Sequence, residues 1–270
     1  MKNNILRRHM FSNEEMQRKH QKNNILRQPV QYIDTLYRNK SLLEMVSLSE
    51  DYYDKVSGIF LGGSNSPSAI MRLIDKDRFH ELYNAGDLSA LQNESKLITI
   101  DDFKIQKDLQ DVADNSSKRN ANRKYQEHQM FITLDREAAI ISSMPGPPGE
   151  LNKTYFEYHY SPASHVNIID QPRRLVLIGQ VHGHPPTDKP GEVTEKTMSE
   201  DYDKPASANA NIPIYGIDAM NGLIRGRKAN IHRVTPDGEI TLNVGKTSDG
   251  FNIGLEAMQI WGRRALTREL

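Results

Sequence analysis

Two histidines one residue apart, His182 and His184, close the most apolar run of the chain, ArgLeuValLeuIleGlyGlnVal at 174–181. In a strand, residues i and i+2 face the same way, so both imidazoles can converge on one metal ion at about 2.0–2.1 Å. Gly183 between them is expected to let a substrate backbone approach, and Pro185 and Pro186 end the strand. The sequence has no cysteine, which excludes disulfides, thiolate metal sites and a cysteine nucleophile; any metal must be held by His, Asp or Glu. A catalytic zinc takes three protein ligands and keeps one position open. Asp203 and Asp201 are the candidates for the third. Pro205 is tolerated in the first turn of a helix but not in its interior, so a helix over roughly 204–211 would start beside Asp203. Hydrolysis also needs a base that is not itself a ligand. Glu127, immediately before the β-prone run MetPheIleThrLeu, is placed for that role, with Glu137 as its rival. Without a metal, the histidines would be strand-end residues bonded to backbone carbonyls, and Asp203 a helix N-cap. His128, His159, His165 and His232 have no partner at useful spacing and read as surface or packing residues.

The elements that must position these groups are legible from Met130 onward. MetPheIleThrLeu (130–134), AlaAlaIleIleSerSer (138–143), ThrTyrPheGluTyrHisTyr (154–160) and the run 174–181 are short strands, separated by turn material such as MetProGlyProProGlyGlu at 144–150. IleProIleTyrGlyIle (212–217), AsnIleHisArgVal (230–234) and GluIleThrLeuAsnVal (239–244) continue the sheet, the last two joined by a ThrProAspGly turn. A polar helix is expected over 103–126 and a closing helix over 251–270, where Ile253, Leu255, Met258, Ile260, Trp261 and Leu266 stand near helical spacing. The region from 101 is therefore α+β, a mixed sheet flanked by helices. Upstream, residues 11–57 and 69–83 read as mainly helical, interrupted by GlyGlySerAsnSerProSer at 62–68. The chain is expected to divide at about residue 100 into a mainly helical N-terminal region, 1–100, and a C-terminal α+β domain over 101–270. KNNILR occurs at 2–7 and again at 22–27; two copies make no solenoid.

The order Glu127, then His-x-His-Pro after an apolar strand, then Ser199 and Asp203 before a helix resembles the JAB/MPN (JAMM) metalloprotease domain. GluHisGlnMetPheIleThrLeuAspArgGluAla, followed by a Pro/Gly turn, and AsnIleProIleTyrGlyIle are similar to the JAB-like domains of bacterial polymorphic toxins. The resemblance covers about residues 101–260. It implies a sheet flanked by helices with cytidine deaminase-like layering, a Zn2+ cofactor, and hydrolysis of peptide or isopeptide bonds. It also implies His182, His184 and Asp203 as metal ligands, Glu127 as general acid/base, and Ser199 as the hydroxyl supporting the oxyanion. The loop 186–198 would line one wall of the substrate groove. A toxin or effector would further imply an immunity or adaptor protein as partner, with residues 1–100 as a loading or adaptor segment ahead of the hydrolase domain over 101–270. Two departures stand out: Asp203 follows His184 by a longer loop than in the family, and Ser199 stands four residues before Asp203, where the family places serine three before. Inactive members of the family use the same sheet as a metal-free protein-interaction module, which is the alternative expectation.

Composition narrows the classes. Of 270 residues, 37% are hydrophobic and 26% charged, the texture of a folded, rather polar protein. Lys plus Arg balance Asp plus Glu at 35 each, so no long-range field recruits nucleic acid or anionic membrane. Residues 1–27 are locally basic (Lys2, Arg7, Arg8, Arg18, Lys19, Lys22 and Arg27 against Glu14 and Glu15) and read as a solvated helix or tail. No run approaches the roughly 20 apolar residues of a membrane span, and MKNNILRRHMF lacks the apolar centre of a secretory signal. Cytoplasmic synthesis is expected; export by a specialised system would leave no mark of this kind.

Overall fold

The structure, a computed structural model, describes residues 49–149, 175–186, 198–219 and 229–264. The strand expected at 154–160, the groove wall at 187–197, both KNNILR copies and the expected helix over 11–48 lie outside the described residues. The described segments belong to one unit, Leu48–Leu270. It is α+β, built on two mixed sheets with five helices among the described residues.

The first sheet is formed by β1 (Glu50–Asp54), β2 (Phe60–Gly63), β3 (Ile70–Ile74) and β4 (Lys96–Leu97), in the order β2-β1-β3-β4. Here the helical expectation for 50–57 and for 69–75 is corrected. AlaIleMetArgLeuIle is a short apolar run, for which periodicity cannot separate helix from strand; it forms β3, parallel to β1. Helix begins only after Asp75, whose carboxylate caps α1 (Lys76–Ala85) by accepting the N–H groups of Asp77 and Arg78. Gly86, at φ 73°, ends α1 in the left-handed conformation. α2 (Leu88–Glu94) follows. β1 carries three acids that its sequence alone would not place in a sheet interior. Each has a partner: Glu50 accepts from Arg72 Nε (2.8 Å) and Tyr52, Asp51 from Asn65 N (2.8 Å), and Asp54 from the Ser57 N–H (2.8 Å). Pairing of this kind makes buried carboxylates tolerable.

The second sheet holds seven strands in the order β11-β10-β9-β8-β6-β7-β5. They are β5 (Thr99–Ile100), β6 (Gln129–Asp135), β7 (Ile140–Pro145), β8 (Leu175–His184), β9 (Ile214–Asp218), β10 (Asn230–Val234) and β11 (Ile240–Lys246). β8 is central, antiparallel to β6 and parallel to β9. β6 and most of β8 are buried, consistent with a sheet covered on both faces. One face packs α3 (Asp102–Ser116) and α5 (Gly250–Gly262). α3 turns Ile105, Leu109, Val112 and Ala113 inward, the stripe of an amphipathic helix. It is shorter than the helix expected over 103–126: it ends at Ser116, after which the Ser117 hydroxyl donates back to the Asp114 carbonyl at 2.8 Å, and a turn bridges Arg119 to Tyr125. α4 (Asp203–Ala210) packs against β9 and β10. No helix among the described residues is long and apolar enough to cross a membrane.

Candidate metal centre

Alternation along β8 separates its side chains into two sets. Gly179 and Gly183 face the helices: a Cβ on Gly179 would meet Ala257 Cβ of α5 at 3.4 Å, and one on Gly183 would meet Ser116 Oγ of α3 at 2.3 Å. Gln180, His182 and His184 therefore face the other way, toward Asp203 at the start of α4. This corrects the expected role of Gly183, whose missing side chain makes room for α3 and not for a substrate.

His182, His184 and Asp203 each offer one ligand atom, and these atoms all lie within 4.8 Å of one another. His182 Nε2 is 2.8 Å from His184 Nε2 and 3.5 Å from Asp203 Oδ1. Two tetrahedral ligands at about 2.0–2.1 Å from one ion stand roughly 3.3 Å apart. The His182–Asp203 separation already fits, the two rings need open by about half an ångström, and the remaining pair, His184 and Asp203, lies within 4.8 Å. The histidines are not bonded to strand-end backbone carbonyls. His182 Nδ1 instead lies 3.2 Å from the side-chain oxygen of Gln180, and His184 Nδ1 is buried without a hydrogen-bond partner.

The electrostatics favour the ligating form of both histidines. Burial holds the His182 imidazole down at about 4. His184 is also lowered, by burial first and then by His182, with Asp203 opposing. Both rings are thus neutral near pH 7, the form that binds metal. Burial raises the Asp203 carboxyl, while His184 and the Ser199 N–H lower it.

Local sequence explains how Asp203 arrives. Ser199 Oγ accepts from the N–H groups of Asp201 (3.2 Å) and Tyr202 (3.1 Å), folding a turn, and the Ser199 N–H donates to Asp203 Oδ2 at 2.7 Å. Asp203 is 8% exposed. Asp201 is exposed and lies outside the three-residue group, so of the two acids Asp203 is the one brought to the histidines. Pro205 sits in the first turn of α4, as its ring requires. Ser199 thus orients Asp203 and shapes the turn.

Register locates the two candidate bases. Gln129 pairs with His182, and the Gly183 N–H donates to the His128 carbonyl at 2.9 Å. Half-buried Glu127 stands just before β6, two residues from Gln129 and next to the end of the strand that carries the His182 pairing. Glu137 is exposed in the β6–β7 turn at the far end of β6, and the structure does not bring it to the histidines.

The sheet brings in groups that sequence reasoning missed. His182 pairs with Gly216 on β9, and Gly216 with His232 on β10; His184 pairs with Asp218. His232 is 5% exposed, and its Nδ1 accepts the Asn243 N–H at 3.2 Å. Its charge further disfavours protonation of His184. Strand order is not written locally, so nothing in the sequence flagged His232. Gln180 was discoverable, standing two residues before His182 on the same face.

No protein-family model matches the chain, and no curated protein matches it.

Proposed function

We propose that the chain is a zinc-dependent peptidase or isopeptidase of JAB/MPN type, with His182, His184 and Asp203 as metal ligands and Glu127 as general acid/base. The observation that carries this reading is the convergence of two neutral imidazoles and one carboxylate, all within 4.8 Å. Two histidines and a carboxylate are a donor set found in catalytic zinc sites, and the absence of thiolates disfavours softer ions. A bound zinc would supply Lewis acidity, activating water and polarising the scissile carbonyl. Glu127, at the entrance of β6 beside the histidine end of β8, would take the proton from water and deliver it to the leaving amine. Asp203 would stay oriented by the Ser199 N–H, and buried His182 would stay neutral. Ser199 Oγ spends its lone pairs on two backbone N–H groups and retains its own O–H, which is the donor an oxyanion would need.

Zinc content of the purified full chain tests the metal. One zinc per chain is expected, with loss in His182→Ala and His184→Ala. Glu127→Gln should retain zinc and lose amide hydrolysis; full activity in that variant would remove Glu127 from the mechanism. The competing reading, a metal-free interaction module, draws on the irregular Ser199–Asp203 spacing and requires well below one zinc per chain. The toxin or effector role is tested by expression in a bacterial or eukaryotic host: wild type should arrest growth and His184→Ala should not.

A further inference from the structure

Behind His182 runs a chain of side-chain amides whose direction is fixed from one end. The Gln129 amide nitrogen is 3.0 Å from the Pro147 carbonyl oxygen, the Gln180 amide nitrogen 3.2 Å from Gln129 Oε1, and His182 Nδ1 3.2 Å from Gln180 Oε1. A backbone carbonyl only accepts, so Gln129 must turn its NH2 toward Pro147 and its oxygen toward Gln180. Gln180 must then present NH2 to Gln129 and oxygen to His182. An amide oxygen also only accepts, which leaves His182 Nδ1 as the donor. In neutral imidazole the other nitrogen then carries the lone pair. Gln129 and Gln180 are 4% and 1% exposed, so water does not compete for these bonds.

From this geometry we infer that Gln180, backed by Gln129, is a positioning residue that locks His182 in the Nδ1–H tautomer and aims its Nε2 lone pair into the metal centre. The relay crosses three segments, from the Pro/Gly loop after β7 through β6 to β8. The loop is itself pinned to the β6 entrance, where the Gly146 N–H donates to the Gln129 carbonyl and the Gly149 N–H to the Glu127 carbonyl. The same loop therefore steadies the register position of Glu127 and the tautomer of His182. One consequence follows for the metal-free centre. With a lone pair on His182 Nε2, the 2.8 Å contact makes His184 Nε2 the donor, leaving His184 Nδ1 as the unprotonated atom, and that atom is buried without a partner. A metal held by both Nε2 atoms would therefore require the His184 proton to leave that nitrogen, while His182 would keep its own on Nδ1.

The inference rests on the metal reading for its use but not for its test. Nitrogen-15 NMR of the metal-free full chain should show His182 with Nδ1 protonated in wild type and in Gln180→Glu, whose carboxylate also accepts. In Gln180→Leu it should show a mixture of tautomers. Zinc affinity, measured by chelator competition, should fall about 10- to 100-fold in Gln180→Leu and recover at least in part in Gln180→Glu. A role limited to core packing would make the buried carboxylate of Gln180→Glu as damaging as leucine. Wild-type His182 protonated at Nε2, or Gln180→Leu binding zinc within twofold of wild type, would overturn the relay. If wild type binds no zinc while its NMR shows the Nδ1–H tautomer, the relay stands and the metal reading fails.

Discussion

Gly183→Ala separates two explanations for the glycine between the histidines. The added Cβ would lie 2.3 Å from Ser116 Oγ, 2.7 Å from Ser116 Cβ and 3.2 Å from the Val112 carbonyl oxygen. Gly183 is not among the residues with positive φ, so alanine brings no backbone strain and the whole effect is steric. Ser116 is fully buried and cannot swing into solvent; its Oγ also accepts the His128 N–H at 3.0 Å. Overpacking of this kind costs about 1–3 kcal/mol. In a body of this size each kcal/mol lowers the melting temperature by roughly 2–4 °C. Ser116→Gly removes the two nearest atoms. Alone it should cost about 1–2 kcal/mol, from helix propensity and the lost acceptor for His128. In combination it should absorb most of the Gly183→Ala penalty, giving a favourable coupling of about 1 kcal/mol or more in a double-mutant cycle read by urea denaturation. If Gly183→Ala were as stable as wild type but inactive, the glycine would serve substrate approach, and the packing argument would be refuted. Strict additivity of the two substitutions would refute it as well.

Three further outcomes follow from the same structure. Asp203→Asn keeps an oxygen to accept the Ser199 N–H but removes the ligand charge; zinc affinity should fall more than tenfold by chelator competition while the melting temperature of metal-free protein changes little. The pH dependence of metal-free stability has a definite sign. His182 is lowered from 6.5 to about 4 on folding, so its contribution is complete above pH 6.5 and is lost as pH falls through about 4, a total of roughly 3 kcal/mol for that shift. Urea midpoints between pH 7 and 4 should show the decline, and His182→Gln should lessen it, the part that remains being that of His184, which burial also lowers. Gly58→Ala would drive a Cβ to within 1.9 Å of the Trp261 ring at a φ of 70°; thermal melts should show a loss of more than about 2 kcal/mol, since overpacking and left-handed strain add.

Among the described residues, the sequence by itself determined the strands from Met130 onward, the closing helix, the ThrProAspGly hairpin, and the fact that His182 and His184 share a face. Each is written in a period of two, a helical spacing or a turn residue, and those are local properties. It placed Asp203 beside α4 because proline cannot enter a helix interior. Residues 50–57 and 69–74 were misread for the complementary reason: AlaIleMetArgLeuIle has no distinguishing period, and Glu50 and Asp51 enter a sheet because partners distant in sequence, Arg72 and Asn65, satisfy them. Glu127 and Glu137 were likewise equal as sequence, both flanking β6; antiparallel pairing with β8 sets the end of β6 next to Glu127 beside His182 and leaves Glu137 at the far end. Tertiary structure alone decided that Gly183 faces α3, that His232 shares a row with His182, and that Gln129 and Gln180 line up behind His182. Those facts depend on strand order and register, set by the burial of whole faces against one another, and no window of sequence contains them.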